Sequence, residues 1–158
     1  DPVRTKRVFT EDRWFRTSDI AVQDEKGRFF IKGRNNNMIL GPSGENIYPE
    51  EIENVINNVE GVSESIVVER GGRLVALIQP AENFIDWDKE SEDKLYEKID
   101  SWKAKILKVT NKNVNKSSQV SSVEVMKEPF EKTATQKIRR FKYKESAPTI
   151  EESKKEEK

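Results

Sequence analysis

Gly33-Arg34-Asn35-Asn36-Asn37-Met38-Ile39, followed shortly by Ser43-Gly44-Glu45-Asn46-Ile47-Tyr48-Pro49-Glu50-Glu51-Ile52-Glu53, decides how the rest of the chain is read. Its first half runs from the end of a strand into three asparagines and a Gly-Pro-Ser-Gly stretch, which reads as a connection and not as an element. Its second half opens a helix. Proline stands at the first turn, glutamates at 50, 51 and 53 face the positive helix end, and Gly61 is the stop signal. Ile52, Val55, Ile56 and Val59 form the stripe expected to be buried.

Working outward, Ile20-Ala21-Val22 and Arg28-Phe29-Phe30-Ile31 flank Asp24-Glu25-Lys26-Gly27, the pattern of a β-hairpin. Downstream, Val62 to Glu69 and Leu74 to Gln79 read as antiparallel strands joined through Gly71-Gly72, and Pro80 ends the second. From about Ser91 to Asn111, Leu95, Ile99, Trp102, Ile106 and Val109 recur at helical spacing and define one apolar face. A linker rich in Asn, Lys and Ser leads to a strand over Val120 to Met126, and then to Lys132-Thr133-Ala134-Thr135-Gln136-Lys137-Ile138-Arg139-Arg140. Glu145 to Lys158 is nearly all charged or small and is predicted disordered. The expected fold is α+β: a small, mainly antiparallel sheet with two principal helices, preceded by a β-hairpin. A boundary falls near Asn36, dividing the chain into residues 1–35, 36–144 and a tail, 145–158.

Composition narrows the chemistry. With no cysteine and no histidine, disulfides, thiolate metal sites, cysteine nucleophiles and the commonest general base are all excluded. The 29 basic and 29 acidic residues cancel, so no global field draws in nucleic acid or anionic lipid, and any basic site is local. No apolar run approaches the ~20 residues that cross a bilayer, and no signal-peptide pattern opens the chain, which reads as cytoplasmic. Asp1 is not methionine and the sequence begins in mid-phrase, as an excised piece of a longer protein would.

Read singly, the candidate residues have ordinary explanations. Asp19, in Phe15-Arg16-Thr17-Ser18-Asp19, has the chemistry to accept hydrogen bonds from a sugar's vicinal hydroxyls, and it also suits a tight turn at a strand start. Arg34 ends a hairpin strand, where its planar fork could hold a ribose, phosphate or carboxylate; a surface ion pair is the competing account. The loop Ser43-Gly44-Glu45-Asn46 lets backbone approach a thin ligand just before a helix begins, or is a plain turn. Lys132, Lys137, Arg139, Arg140, Lys142 and Lys144, interleaved with Phe141 and Tyr143, could pass for a nucleic-acid patch. A neutral chain and an acidic tail argue against nucleic acid, so a solvated basic face with one specialised lysine is preferred.

Taken in order, these segments resemble the C-terminal end of the adenylate-forming superfamily: acyl-CoA synthetases, adenylation domains of peptide synthetases and beetle luciferases. The aromatic/basic/Thr/Gly/Asp motif is matched at Phe15 to Asp19 and the hairpin at Asp24 and Gly27. The Gly-Arg hinge motif, glycine loop and Pro-x-Glu-Ile-Glu helix are matched from Gly33 to Glu53, and the closing Lys-Thr-x-x-Gly-Lys-Ile-x-Arg motif at Lys132 to Arg140. The glycine loop, its helix and the Glu128-Pro129-Phe130 lead-in look most like long-chain fatty acyl-CoA synthetases. Ser18 and Gln136 stand where the family has glycine, which opens the backbone beside Asp19 and Lys137 to change. Asn36 stands at the hinge position, usually Asp or Lys.

The resemblance implies an enzyme that joins ATP and a carboxylic acid into an acyl-adenylate, then transfers the acyl group to coenzyme A. Lys137 would contact the carboxylate and α-phosphate, Asp19 and Arg34 the nucleotide's sugar or phosphate, and Gly44, Glu45 and Asn46 the pantetheine channel. Asn36 would be the pivot between two domain orientations. ATP, Mg2+, coenzyme A and a fatty acid are the implied ligands of the whole enzyme. Its phosphate loop, adenine pocket, magnesium-binding acid and acyl tunnel belong to a large N-terminal domain that this sequence does not contain. The chain alone is therefore expected to be inactive, with Lys137 facing solvent; peripheral membrane association of the parent is left open.

Overall fold

The computed structural model describes residues 1–86 and 91–145, and the expectation for the tail lies, apart from Glu145, outside them. A helix α1 (Pro2–Val8) precedes the hairpin β1 (Asp19–Gln23) and β2 (Phe29–Arg34). Then come the short strands β3 (Ile39–Leu40) and β4 (Asn46–Ile47), helix α2 (Pro49–Ile56), the hairpin β5 (Val62–Arg70) and β6 (Arg73–Pro80), helix α3 (Glu92–Asn113) and strand β7 (Ser122–Val125). The class is α+β, with α2 and α3 as the principal helices. Two features depart from the sequence reading. The opening residues form α1, and the Asn-rich connection contains a 3-10 turn at Asn35–Asn37 and a two-residue antiparallel ladder, Ile39 with Ile47 and Leu40 with Asn46.

The central sheet has the order β5-β6-β7. β5 and β6 pair antiparallel across a two-residue turn, Gly71-Gly72, whose φ values of 57° and 76° suit such a hairpin. β7 instead pairs parallel with β6, an arrangement that needs a long crossover, and α3 supplies it. β6 is thus central and covered on both faces, which is why Leu74 to Ile78 is a continuous apolar run with no polar alternation.

The two faces are separate cores. Val67, Ala76, Ile78, Val123 and Val125 point to one side, where Ile52 and Ile56 of α2 and Ile99, Trp102 and Ile106 of α3 pack on them. Ile66, Val68, Val75 and Leu77 point to the other, which is closed by Met126, Phe130 and Tyr143 from the segment after β7. Each fully buried aliphatic side chain here contributes roughly 1.5–3 kcal/mol of transfer free energy. Gly61, at φ 86°, closes the turn after α2 with the Phe84 ring packed directly on its α-carbon, where a side chain would collide. Phe84 in turn lies 4.8 Å, centroid to centroid, from Trp102, whose indole N–H donates to the Glu60 carbonyl at 2.9 Å.

The α2 stripe differs from expectation at one residue. Val55 is half-buried, while Glu53 is buried alongside Pro49, Ile52 and Ile56. A carboxylate in a core stripe demands a partner, and that partner carries the site described next.

Candidate functional site

The segment that closes the second core also presents Lys137. Phe130 and Tyr143 meet edge to face, their rings 5.3 Å apart, so the intervening residues leave the core and return to it as a closed excursion. Its two ends are fixed by polar contacts as well. The Phe130 amide donates to Gln79 Oε1 (3.1 Å), the Glu131 amide to the Tyr143 hydroxyl (2.8 Å), and Arg70 donates to the Tyr143 carbonyl (2.9 Å) while also pairing with Glu124 (2.8 Å).

Within the excursion Lys132 and Ile138 form an antiparallel bridge, closed by a tight turn. The Thr133 amide donates to the Lys137 carbonyl (2.8 Å), the Gln136 amide to the Thr133 carbonyl (2.9 Å), and the Lys137 amide to Thr133 Oγ1 (3.2 Å). Gln136 has φ 59°, and Ser18, the other residue standing where the resemblance puts glycine, has φ 64°. Both positions therefore hold the left-handed conformation a glycine would adopt, and the openness to change noted from the sequence is not realised in φ. Lys137 is exposed, and among the described residues its ammonium pairs with no carboxylate.

The buried Glu53 is the partner of Arg140. The guanidinium grips the carboxylate through both terminal nitrogens, Nη1 on Oε1 and Nη2 on Oε2. Oε1 also accepts the Val67 amide of β5 at 2.7 Å. Burial pushes the Glu53 carboxyl above the usual carboxylate range, against the opposing pull of Arg140 and the Val67 amide. Burial also works against the Arg140 charge, but hydrogen bonding to Glu53 and its charge hold that group above its ordinary value. Lys132 and Lys142 are paired too, with Glu64 (2.7 Å) and Glu131 (2.5 Å). Three of the six basic residues in the run, Lys132, Arg140 and Lys142, are thus paired within their own domain, unlike a patch built to hold a polyanion.

Facing Lys137 is the end of the β1–β2 hairpin. Asp19 and Arg34 are cross-strand partners, and Arg34 Nε lies 3.4 Å from Asp19 Oδ1. The surface ion pair weighed for Arg34 from the sequence is present, and its partner is the other candidate nucleotide residue. Both side chains are partly exposed, so this pair is worth at most about 1 kcal/mol and exchanges readily for a ligand. Hairpin and domain meet where Gly33 is buried against α2. A β-carbon there would stand 2.6 Å from Glu50 Oε2, so any larger residue would have to push the Glu50 carboxylate aside. Lys32 pairs with Glu51 at 2.7 Å and Asn37 donates to Glu50 at 2.5 Å, one on each side of the candidate pivot Asn36.

Between hairpin and domain runs an open cleft of about 1110 Å³, and Asp19, Arg34, Asn36 and Lys137 all line it. Gly44, Glu45 and Asn46 do not. Gly44 and Glu45 lie in the β3–β4 turn and Asn46 opens β4; the Glu45 side chain folds back against Gly41, and Gly44 is exposed with open space over its α-carbon. The candidates thus form two groups, four residues in one cleft and three on a separate loop. Among the described residues no cluster of three or more acidic side chains converges as a metal ion requires. The sequence reading puts the magnesium-binding acid of the whole enzyme in the preceding domain and no metal ligand on this chain, so no step is assigned to Mg2+ here. Among the described residues, too, no helix is long and apolar enough to cross a membrane.

The profile of one protein family, the C-terminal domain of AMP-binding enzymes, matches residues 36–157. The chain belongs to that family. A long-chain-fatty-acid–CoA ligase of Mycobacterium tuberculosis is 41% identical over 100 residues, covering 61% of this chain and 19% of that protein. A 2-succinylbenzoate–CoA ligase of Listeria monocytogenes is 44% identical over 78 residues, covering 46% of this chain and 16% of that one. The fold is that of o-succinylbenzoate CoA synthetase from Bacillus subtilis, solved with its acyl-adenylate intermediate: TM-score 0.67, 21% identity, covering 91% of this chain and 27% of that one. This AMP-binding C-terminal domain thus spans roughly a fifth of the length of the curated relatives it matches.

What the sequence reading missed in the AMP-binding domain is the tie between its two motifs. Glu53, on the Pro-x-Glu-Ile-Glu helix, holds Arg140, which closes the lysine motif. A signal existed: Pro49, Ile52, Glu53 and Ile56 fall at i, i+3, i+4 and i+7, so Glu53 shares the buried face.

Proposed function

We propose that this chain is the mobile lid of an ATP-dependent acid–thiol ligase, joined to the closing hairpin of a preceding catalytic domain, and that the whole enzyme makes acyl-CoA from a fatty acid. The observation that carries the reading is the cleft itself. Residues far apart in sequence, Asp19 and Arg34 on the hairpin and Lys137 on the domain, face one space large enough for a nucleotide's sugar and phosphates. The broad apolar exposure of Trp14, Phe15, Phe29 and Ile31, each more than half exposed, supports the view that residues 1–35 belong to a larger unit.

In this reading Asp19 accepts hydrogen bonds from the ribose hydroxyls and Arg34 donates to the sugar or phosphate beside it. The Lys137 ammonium donates to the carboxylate and α-phosphate oxygens as they approach. Negative charge gathers at phosphorus in the transition state, and a preplaced ammonium in a water-poor pocket stabilises it more than it stabilises the bound substrates. Lys137 lies with the nucleotide residues and the Gly44 loop lies outside the cleft, so this arrangement suits the adenylating half-reaction. Rotation about Asn36 would then bring Gly44, Glu45 and Asn46 to the pantetheine arm of coenzyme A. The fatty-acid assignment, and long-chain preference within it, rests on likeness to the mycobacterial ligase, while the Listeria relative is named for a different acid.

The test is Lys137→Ala in the intact ligase. Acid-dependent exchange of pyrophosphate into ATP should fall by ~100- to 1,000-fold, the usual effect of losing one preorganised donor. Thioester formation from a supplied acyl-adenylate should persist. Unchanged exchange would refute the assignment, and a panel of acids of graded chain length against 2-succinylbenzoate would decide the substrate.

A further inference from the structure

The turn that carries Lys137 is held together internally but is tied to the domain at few points. Its hydrogen bonds run among Thr133, Gln136 and Lys137, so they fix its shape and not its direction. Direction has to come from the flanks, where Ile138 packs on the second core through non-directional apolar contact and polar pairs supply the orientation. Lys132–Glu64 and Lys142–Glu131 involve side chains that are about one-third to more than half exposed, except for Lys132 at 29%, and such pairs contribute little. Arg140 differs. Its side chain is 21% exposed and Glu53's is 7%, the contact is bidentate, and Glu53 is itself fixed by the Val67 amide in the central sheet. A bidentate fork sets orientation as well as distance. Arg140 follows Lys137 by three residues, no more than about 10 Å of extended chain.

We infer that Arg140 and Glu53 are a positioning pair for Lys137, aiming the lysine turn into the cleft from α2 and β5 without touching the reacting groups. This rests on the reading of Lys137 as the adenylating lysine. Both residues border the cleft, but the Glu53 carboxylate is engaged by the two terminal nitrogens of Arg140, so the pair is assigned to holding the turn and not to substrate. The pair acts through Lys137, so its removal should mimic a weakened Lys137 and should add nothing once Lys137 is gone.

The experiment has two arms. In the chain itself, Glu53→Gln and Arg140→Met are compared with wild type by amide hydrogen exchange. Glu53→Gln keeps an acceptor for the Val67 amide and is the variant expected to stay folded if Arg140→Met does not. Faster exchange confined to the Thr133, Gln136 and Lys137 amides, with β5 and β6 unchanged, is expected. Uniform loss of protection in Glu53→Gln means a merely structural role and overturns the inference, as does unchanged exchange in the turn. In the intact ligase, Glu53→Gln and Arg140→Lys should lower kcat for pyrophosphate exchange by up to about 100-fold with little change in the KM for ATP. They should leave thioester formation from a supplied acyl-adenylate intact, and Lys137→Ala/Glu53→Gln should be no slower than Lys137→Ala. Equal loss in both half-reactions, or multiplied losses in the double variant, overturns the positioning role. If Lys137→Ala itself has no effect, the functional reading falls instead, whatever the exchange data show.

Discussion

Arg140→Met tests the buried pair as a question of stability, separately from catalysis. Methionine fills much of the arginine stem's volume, so the main change is loss of the charge that answers Glu53. With Glu53 5% exposed, its carboxylate is left in the core with the Val67 amide as its remaining short contact. Breaking a buried pair in this way costs about 3–5 kcal/mol at neutral pH, a large share of the 5–15 kcal/mol typical of a domain. The cost should depend on pH in one direction. Burial already holds the Glu53 carboxyl above its ordinary value, and the variant removes the strongest opposing influence, so the folded value rises further. A carboxyl whose folded pKa exceeds its unfolded one favours the folded state fully below the unfolded value, and that benefit is lost as pH rises through the folded value. The deficit of Arg140→Met relative to wild type should therefore be smallest in mild acid and grow toward neutral pH, by up to about 1.4 kcal/mol per pH unit in between. Urea unfolding followed by far-ultraviolet circular dichroism from pH 4.5 to 7.5 measures it. Adding Glu53→Gln to Arg140→Met should recover most of the loss at pH 7, because the amide oxygen still accepts from Val67 and no charge remains. A deficit below about 1 kcal/mol at pH 7 would mean solvent screens the pair. A deficit that does not vary with pH would mean that lost packing, and not a stranded charge, is responsible.

Gly61→Ala should destabilise the chain by at least about 2 kcal/mol in urea, combining a left-handed φ with collision against the Phe84 ring. Gln136→Gly should be neutral or stabilising by up to about 1 kcal/mol, since relief of the left-handed φ exceeds the entropy glycine adds to the unfolded chain; a loss above about 1 kcal/mol would show that the glutamine side chain supports the turn. Lys137→Ala should leave the unfolding free energy measured in urea within about 0.5 kcal/mol of wild type, because the side chain is exposed.

The elements that periodicity controls were legible in the sequence. Ile99, Trp102 and Ile106 are buried as the helical spacing implies, and β5 and β6 span the two predicted strands with Gly71-Gly72 between them. What stayed hidden depends on partners distant in sequence. β7 reads as a strand from its own residues, but its parallel pairing with β6 is set by where α3 delivers the chain. The Ile39–Leu40 ladder is too short for any pattern and exists because Asn46–Ile47 comes back beside it. Glu53 reads as one of three helix-end glutamates until Arg140, 87 residues on, shows why it is buried. Ser18 and Gln136 were the reverse case. As non-glycine residues they left the local backbone open to change, yet the hydrogen bonds of Asn35 to the Ser18 carbonyl (2.9 Å) and of Gln136 to Thr133 (2.9 Å) accompany the left-handed turns.

The strengths of these contacts also separate what should move from what should stay fixed. A lid that swings about Asn36 has to break its contacts with the hairpin in each cycle, so those contacts must be weak. Lys32–Glu51 meets that requirement, with side chains 37% and 45% exposed, so solvent screens it and it contributes little. Were the Arg140–Glu53 pair at the hinge, with opening leaving Glu53 unpaired in the core, its rupture at about 3–5 kcal/mol would suppress the open state by at least a hundredfold. It lies instead wholly within the domain, joining α2, β5 and the lysine turn, where rotation about Asn36 leaves it intact. If Asn36 is the pivot, as proposed, its neutral side chain agrees with this division, since no charge there would lock either orientation. The exposed pair beside it should then be the salt-sensitive element of the lid, and raising ionic strength should loosen the hairpin from α2 while the turn bearing Lys137 keeps its protection from exchange.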